Sequence, residues 1–263
     1  MTSQQERFGE WARRVGEAGS GSDVDPGGGP GRGSAEAAVP AATVILLRDT
    51  PSGVETLMLR RDSRLAFAGG AWVFPGGRID PSDYEPSHPD DVYRAARRAA
   101  VREAAEESGL EVDLAGLVWL SHWMPPPQTP RRFSTWFFVA PAPGGEVRVD
   151  GAEIREHMWV RPAEALERRD AHEVELTPPT WVTLHELRAS PDVASVLAAA
   201  RARRPEHFTT KACIDGTEVI ALWHGDAGYE SGDPSVPGPR HRLRMIDHGW
   251  RYERTAPRPG PPE

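Results

Sequence analysis

The chain has 263 residues, 38% of them hydrophobic and 27% charged, enough for one sizeable domain with an appendage. Its net charge of −8 argues against binding a nucleic-acid polymer, which needs basic surface. Cys213 is the only cysteine and Lys211 the only lysine, which excludes an internal disulfide and a cysteine metal cluster and leaves arginine to meet any phosphate. The start is polar and lacks the apolar centre of a secretion signal, and no run approaches the ~18 apolar residues of a membrane span, so a cytoplasmic protein is expected.

Residues 1–38 read as a disordered tail, because the Gly/Ser/Pro-rich stretch 19–33 cannot bury enough surface to order itself. A main domain is expected over 39–190. Within it, residues 41–47 are apolar and β-branched and predict a buried strand, and Pro51-Ser52-Gly53 predicts a turn into a return strand over 54–60. Residues 61–70 form a loop in which Arg60, Arg61 and Arg64 are either a solvated charge cluster or a phosphate clamp. Residues 72–74 make a short strand that leads into a glycine turn, Phe74-Pro75-Gly76-Gly77-Arg78-Ile79-Asp80, where backbone can approach a ligand closely. A polar segment over 80–89 follows.

The helix Val92–Ser108 carries the densest chemistry. Asp90 or Asp91 can cap it, and Gly109 suits the left-handed position after its end. Val92, Ala95, Ala96, Ala99 and Ala100 form its apolar stripe, with Arg94, Arg97 and Arg98 opposite. Glu103, Glu106 and Glu107, at i, i+3 and i+4, continue the apolar stripe within roughly 100° of arc. A solvated glutamate face is the ordinary reading of such a triplet. Carboxylates that follow a core-facing stripe must instead be neutralised, and a hard divalent cation is the economical partner.

Further strands are predicted over 114–124 and 133–140, separated by a stiff proline loop at 125–130. A loop with Glu153 and Glu156 leads into a strand at 158–160. Helices are predicted over 162–169, from Thr177-Pro178-Pro179 to about 189, and over 191–204. A small β-rich appendage is expected over 205–255, with hairpins around Asp215-Gly216 and His248-Gly249. Its Arg240, Arg242, Arg244, Arg251 and Arg254 are either a solvated edge or a lid that meets an anionic substrate. Residues 256–263 read as a disordered end.

Gly76-Gly77, followed by Arg102-Glu103-x-x-Glu106-Glu107-x-Gly109-Leu110, resembles the Nudix box of the Nudix hydrolases. That pattern runs Gly, five residues, Glu, seven residues, then Arg-Glu, an aliphatic, any residue, Glu-Glu, any residue, Gly and an aliphatic. The second half matches, with Ala104 as a small member at the aliphatic position. The first half departs. Gly77 lies 102 − 77 = 25 residues before Arg102 against 14 in the pattern, an insertion of 25 − 14 = 11, and Arg94 falls where the first glutamate belongs.

The resemblance implies an α/β (α+β) Nudix fold, a mixed β-sheet sandwiched between helices, and cleavage of a diphosphate bond in a small-molecule nucleoside diphosphate derivative. It implies Mg²⁺ or Mn²⁺ held by Glu103, Glu106 and Glu107, completed by a Gly76 or Gly77 carbonyl. Arg102 is to orient the glutamates, and Glu153, with Glu156 in reserve, to act as base or extra ligand. Residues 57–77, with Arg61, Arg64, Phe74, Gly76 and Gly77 as substrate-binding positions, are similar to the signature of the coenzyme A and peroxisomal-type acyl-coenzyme A diphosphatases, with departures at Leu59, Asp62 and Ala66. Nucleotide sugars and dinucleotides are the alternative substrates. A degenerate module that binds a nucleotide without hydrolysis is the alternative of another class. No membrane partner is implied, and no oligomeric state. Of the acids between Gly77 and Arg102, which are Asp80, Asp83, Glu85, Asp90 and Asp91, Asp80 is expected to replace the missing glutamate by supporting the glycine turn rather than by binding the metal directly; the alternative is a plain turn residue.

Overall fold

The computed structural model describes residues 37–64, 68–129, 131–149, 151–216, 218–246 and 249–260. Nearly all of the expected N-terminal tail lies outside them, as does His248 of the second expected hairpin turn. The described chain divides into two compact units: residues 40–123, 133–207 and 258–260 in one, and 37–39, 124–132 and 208–257 in the other.

In the larger unit, β1 (Val39–Thr50) and β2 (Gly53–Arg61) form an antiparallel hairpin in register from Leu47↔Thr56 to Thr50↔Gly53. Gly53 takes φ +113°, a conformation that side chains disfavour, and so closes the turn. Beyond Thr56 the two strands part, and β3 (Trp72–Val73) and β4 (Gly76–Arg78) fill the opening. β3 pairs with β2 at Leu59↔Val73, and β4 lies antiparallel on β1 from Ala41↔Arg78 to Thr43↔Gly76. The expected glycine turn is therefore largely a strand. Neither Gly76 nor Gly77 has positive φ. Gly76 is needed for space, since a Cβ there would stand 2.4 Å from the Ala42 carbonyl oxygen and from Thr43 Oγ1.

β5 (Val118–Met124) and β6 (Phe133–Pro141) pair antiparallel, and β7 (Ile154–Val160) pairs antiparallel with β2. With β8 (Glu206–Thr209) beside β5, the sheet runs β3-β2-β1-β6-β5-β8, with β4 on β1 and β7 on β2. Residues 114–116, expected as strand, form a short 3-10 turn capped by Asp113. The helices are α1 (Val92–Ser108), α2 (Pro162–Asp170), α3 (Pro178–Leu187) and α4 (Val193–Arg201). α1 has the predicted bounds: Asp91 accepts from the Arg94 N–H, and Gly109 ends the helix at φ 71°.

Ala95, Ala96, Ala99, Ala100 and Ala104 of α1 are fully buried against Ala42, Val44 and Leu46 of β1, Leu57 and Leu59 of β2, and Phe138 of β6. Alanine keeps this layer thin. The glutamates further along the same stripe are thereby brought up to the backbone of β4. The end of the chain, expected to be disordered, is tied to this unit through residue 260. Arg258 meets Glu186 at 2.8 Å, and the Gly260 carbonyl accepts from the Arg204 N–H.

In the smaller unit, β9 (Lys211–Asp215), β10 (Glu218–Leu222), β11 (His241–Met245) and β12 (Arg251–Arg254) form an antiparallel sheet in the order β12-β11-β10-β9. Asp226 is buried and accepts from Arg242 Nη2 at 2.6 Å and Nε at 2.7 Å, and from the Gly228 and His241 N–H groups. Arg244 meets Glu218 and Asp215, Arg251 meets Glu253, and Arg240 and Arg254 donate to backbone carbonyls. The arginine row thus closes on partners of its own unit. Arg242 and Arg244 are thereby neutralised by carboxylates, while Arg251 keeps a largely exposed side chain.

Replacing Ala99 by Leu should cost about 1–3 kcal/mol, because the thin layer has no room for three more carbons. Urea unfolding monitored by circular dichroism measures this, and an unchanged midpoint would contradict the seating of α1.

Candidate active site

The site is assembled on Arg102. Residues 81–83 of the insertion form a 3-10 turn, and Asp83 at its end is only 4% exposed. Arg102 Nε donates to Asp83 Oδ1 at 3.1 Å and Nη2 to Oδ2 at 2.9 Å, a two-pronged charge-assisted pair. Asp83 Oδ2 also accepts the Asp80 N–H at 2.8 Å. The same guanidinium donates to the Arg78 carbonyl at 3.0 Å, to Glu103 at 2.9 Å and to Glu106 at 3.0 Å. These bonds, the Asp83 pair foremost, hold Arg102 above its ordinary pKa.

The carboxylate of the insertion that reaches the Arg102 end of α1 is therefore Asp83, not Asp80. Asp80 is half exposed and stands 3.9 Å from Arg102. The signal was present in Asp80-Pro81-Ser82-Asp83: proline at the first position of a helical turn and an acid at the third is a turn-start pattern.

Glu107 is 5% exposed, and its Oε2 accepts the Gly76 N–H at 2.9 Å. Glu103 lies flat on Gly77, where a Cβ would stand 2.4 Å from its carboxyl group. Here glycine is required by a side chain rather than by a backbone angle. Burial pushes the Glu107 carboxyl up to about 8, helped by the charges of Glu103 and Glu153 and opposed by the Gly76 N–H and Arg61. Burial also raises Glu103, with Arg102 opposing and Glu106 and Asp80 adding to the rise. Glu106 is on the outer side, 59% exposed and paired with Arg102.

Arg61 links two of the acids. Its Nη1 is 3.8 Å from Glu107 and its Nη2 donates to Glu153 at 3.1 Å. Its Nε is buried without a hydrogen-bond partner. Glu153 is largely exposed at the mouth of this arrangement, while Glu156 turns outward to Arg60 at 2.7 Å. Arg64, expected to bind substrate, is committed to Asp62 through its backbone N–H, Nε and Nη2. Phe74, also expected to bind substrate, is 2% exposed and packs edge-on against Phe137, which leaves no face for a ligand. Sequence reasoning preferred Asp80 to Asp83 and missed the pair Asp62–Arg155, whose partners lie 93 positions apart.

Among the described residues, no group of three or more His, Cys, Asp or Glu side chains stands in a metal-holding arrangement. Two do stand together as hard oxygen donors. Glu107 is buried and Glu103 partly so; they repel each other and are each pushed toward the neutral form, a strain that a divalent cation would relieve. Glu106 is bonded to Arg102 through Oε2 alone, which leaves its other oxygen outside that bond.

A family profile described as the NUDIX domain matches residues 38–180. A curated relative, putative nudix hydrolase 7 of Caenorhabditis elegans, is 28% identical over 184 residues, covering 56% of this chain. The chain spans 59% of that relative's length. Among solved structures, a NUDIX hydrolase from Alicyclobacillus acidocaldarius aligns with a TM-score of 0.55 at 26% identity, covering 62% of this chain and 96% of that one.

Two outcomes follow from the geometry. Asp83→Ala should cost about 2–3 kcal/mol, between an exposed and a fully buried ion pair, whereas Asp80→Ala should cost under about 0.5 kcal/mol. Equal losses in chemical denaturation would refute the assignment to Asp83. The second concerns pH. A carboxyl whose folded pKa is about 8 against an ordinary 4.5 binds more protons folded than unfolded, so stability falls as pH rises between those values. In chelator, melting temperature should drop from pH 5 to pH 8, and Glu107→Gln should flatten the slope. A slope unchanged by that substitution would place the titration elsewhere.

Proposed function

The chain belongs to the Nudix family, and on that premise we propose that it hydrolyses a diphosphate bond in a nucleoside diphosphate derivative, with coenzyme A or acyl-coenzyme A as substrate. The carrying observation is the seating of Glu107 on the Gly76 N–H beside Glu103 on Gly77. Glu103 and Glu107 are the residues to hold Mg²⁺ or Mn²⁺, with Glu106 joining from Arg102. When bound there, a divalent ion neutralises phosphate oxygens and makes a bound water acidic enough to attack phosphorus.

The chain's own residues supply the rest. Arg102, fixed by Asp83, sets the glutamate side chains along α1. Arg61 presents a buried unpartnered Nε that a phosphate oxygen would satisfy, which supports a substrate contact. Glu153, exposed and held by Arg61, is the group to take the proton of the attacking water. Asp83 on Arg102 supports hydrolysis over a module that binds without cleaving, because the box arginine keeps a buried carboxylate partner despite the lost glutamate. The coenzyme A reading rests on the resemblance of residues 57–77, of which Arg61, Gly76 and Gly77 lie in the site.

The test is turnover of coenzyme A, a nucleotide sugar and a dinucleoside polyphosphate with Mg²⁺ or Mn²⁺. Coenzyme A should yield an adenosine bisphosphate and a phosphopantetheine fragment by mass spectrometry. Glu107→Gln should lower turnover by about 10²-fold or more, about 2.7 kcal/mol in the barrier. Full activity in excess chelator would reject the site, and intact coenzyme A beside rapid cleavage of a nucleotide sugar would change the substrate.

A further inference from the structure

The proposed base, Glu153, lies in a loop, and loops do not position a side chain unless something fixes them. One buried residue does so here. Asp62 follows β2 directly and is 5% exposed. Its backbone N–H donates to the Glu153 carbonyl at 2.7 Å. Its carboxylate accepts from both Nε, at 2.7 Å, and Nη2 of Arg155. Arg155 Nη1 in turn donates to the Gly151 carbonyl at 2.8 Å. On the other side, the same carboxylate takes the Arg64 N–H, Nε and Nη2.

The register of the sheet is built around this clamp. β7 pairs with β2 as Arg60↔Glu156 and then Arg61↔Ile154, so Arg155 is an extra residue unmatched in the ladder. A bulge of this kind bends the strand and re-aims side chains. Here it turns Arg155 back onto Asp62. The segment 151–155, which runs into β7, is thus tied at Gly151, at Glu153 and at Arg155, and all three ties lead to Asp62. The adjacent Arg61 binds the Glu153 carboxylate itself.

We infer that Asp62, through Arg155, is a positioning residue that holds Glu153 in reach of the reacting water. The inference rests on the reading of Glu153 as the base. Arg64 has a place in it as well: it neutralises Asp62 from the solvent side rather than binding substrate.

A double-mutant cycle on the full-length protein tests this, with Mg²⁺ and whichever of the three diphosphates named above is cleaved fastest. Asp62→Asn keeps shape and should lower kcat at least tenfold with KM changed less than threefold. In the Glu153→Gln background the same substitution should lower kcat less than twofold, because there is no base left to position. Arg155→Gln should show the same pattern and guards against a folding defect confined to one variant. Hydrogen exchange on metal-free protein gives a readout without turnover: amides of 151–155 should exchange at least tenfold faster in Asp62→Asn, with α1 unchanged. Equal kcat losses in both backgrounds, or none in either, would overturn the role of Asp62. Wild-type kinetics in Glu153→Gln alone would overturn the reading of the base, and the positioning role with it.

Discussion

The bond between Arg102 and Asp83 is the constraint on which the site depends. One guanidinium touches a buried carboxylate, the carbonyl of Arg78 and two glutamates of its own helix. Its planar fork has five donors in fixed directions, so once Asp83 takes Nε and Nη2, the direction of Nη1 is set. Glu103 and Glu106 are then held at a defined place. Lysine would offer the charge without the directions. The insertion that interrupts the box is in this sense a part of it: the loop is longer, and the carboxylate it delivers arrives from a 3-10 turn rather than from the sequence just before the helix.

A second constraint is thickness. Five alanines bring α1 close to β1 and β2, and two glycines let the carboxyl groups lie against backbone. The consequences are electrostatic. Close packing strips water from Glu103 and Glu107, and the loss of hydration raises both pKa values before any neighbouring charge is considered. Side chains larger than alanine along the stripe would lift the helix, rehydrate the acids and lower those values. Packing and acidity are therefore set by the same residues, and a substitution in the core should be felt in the pH behaviour of the site.

What could be read from the sequence follows from the range of the interactions involved. α1 was legible to the residue because its stripe, its Asp91 cap and its Gly109 stop are all local signals. The β1–β2 hairpin was legible for the same reason. β4 was read as a turn, because two adjacent glycines let backbone approach a ligand closely. Their use as a gap for the Glu103 carboxyl and the Ala42 carbonyl depends on partners 26 and 34 positions away (103 − 77 and 76 − 42). Phe74 was taken for a ligand contact because it belongs to the run that resembles the coenzyme A signature, but it lies between β3 and β4, is buried and packs on Phe137. The arginine row of the smaller unit looked like free positive charge for a similar reason: Glu218, Asp215 and Asp226, which absorb much of it, are placed opposite it only by sheet register and loop closure.

The charge balance of the site bears on the proposed reaction. Glu103, Glu106, Glu107, Glu153 and Asp83 are five carboxyl groups, and Arg61 and Arg102 are the two guanidiniums that contact them. With Glu107 neutral, the balance is 2 − 4 = −2, and with it ionised 2 − 5 = −3. The protein as a whole carries −8. An anionic diphosphate is repelled by such a surface at long and at short range. One divalent ion nearly cancels the local excess, and two would reverse it. Arg61 is the residue this change would release. Paired with Glu107 and Glu153, it partly stands in for a cation; once a cation takes Glu107, its Nη1 loses that attraction and its unpartnered Nε already lacks an acceptor. A phosphate oxygen supplies one. In the proposed reaction, arginine at this position would serve two arrangements, holding the acids together without a cation and meeting substrate with one, and the second would be favoured only where the first is no longer needed.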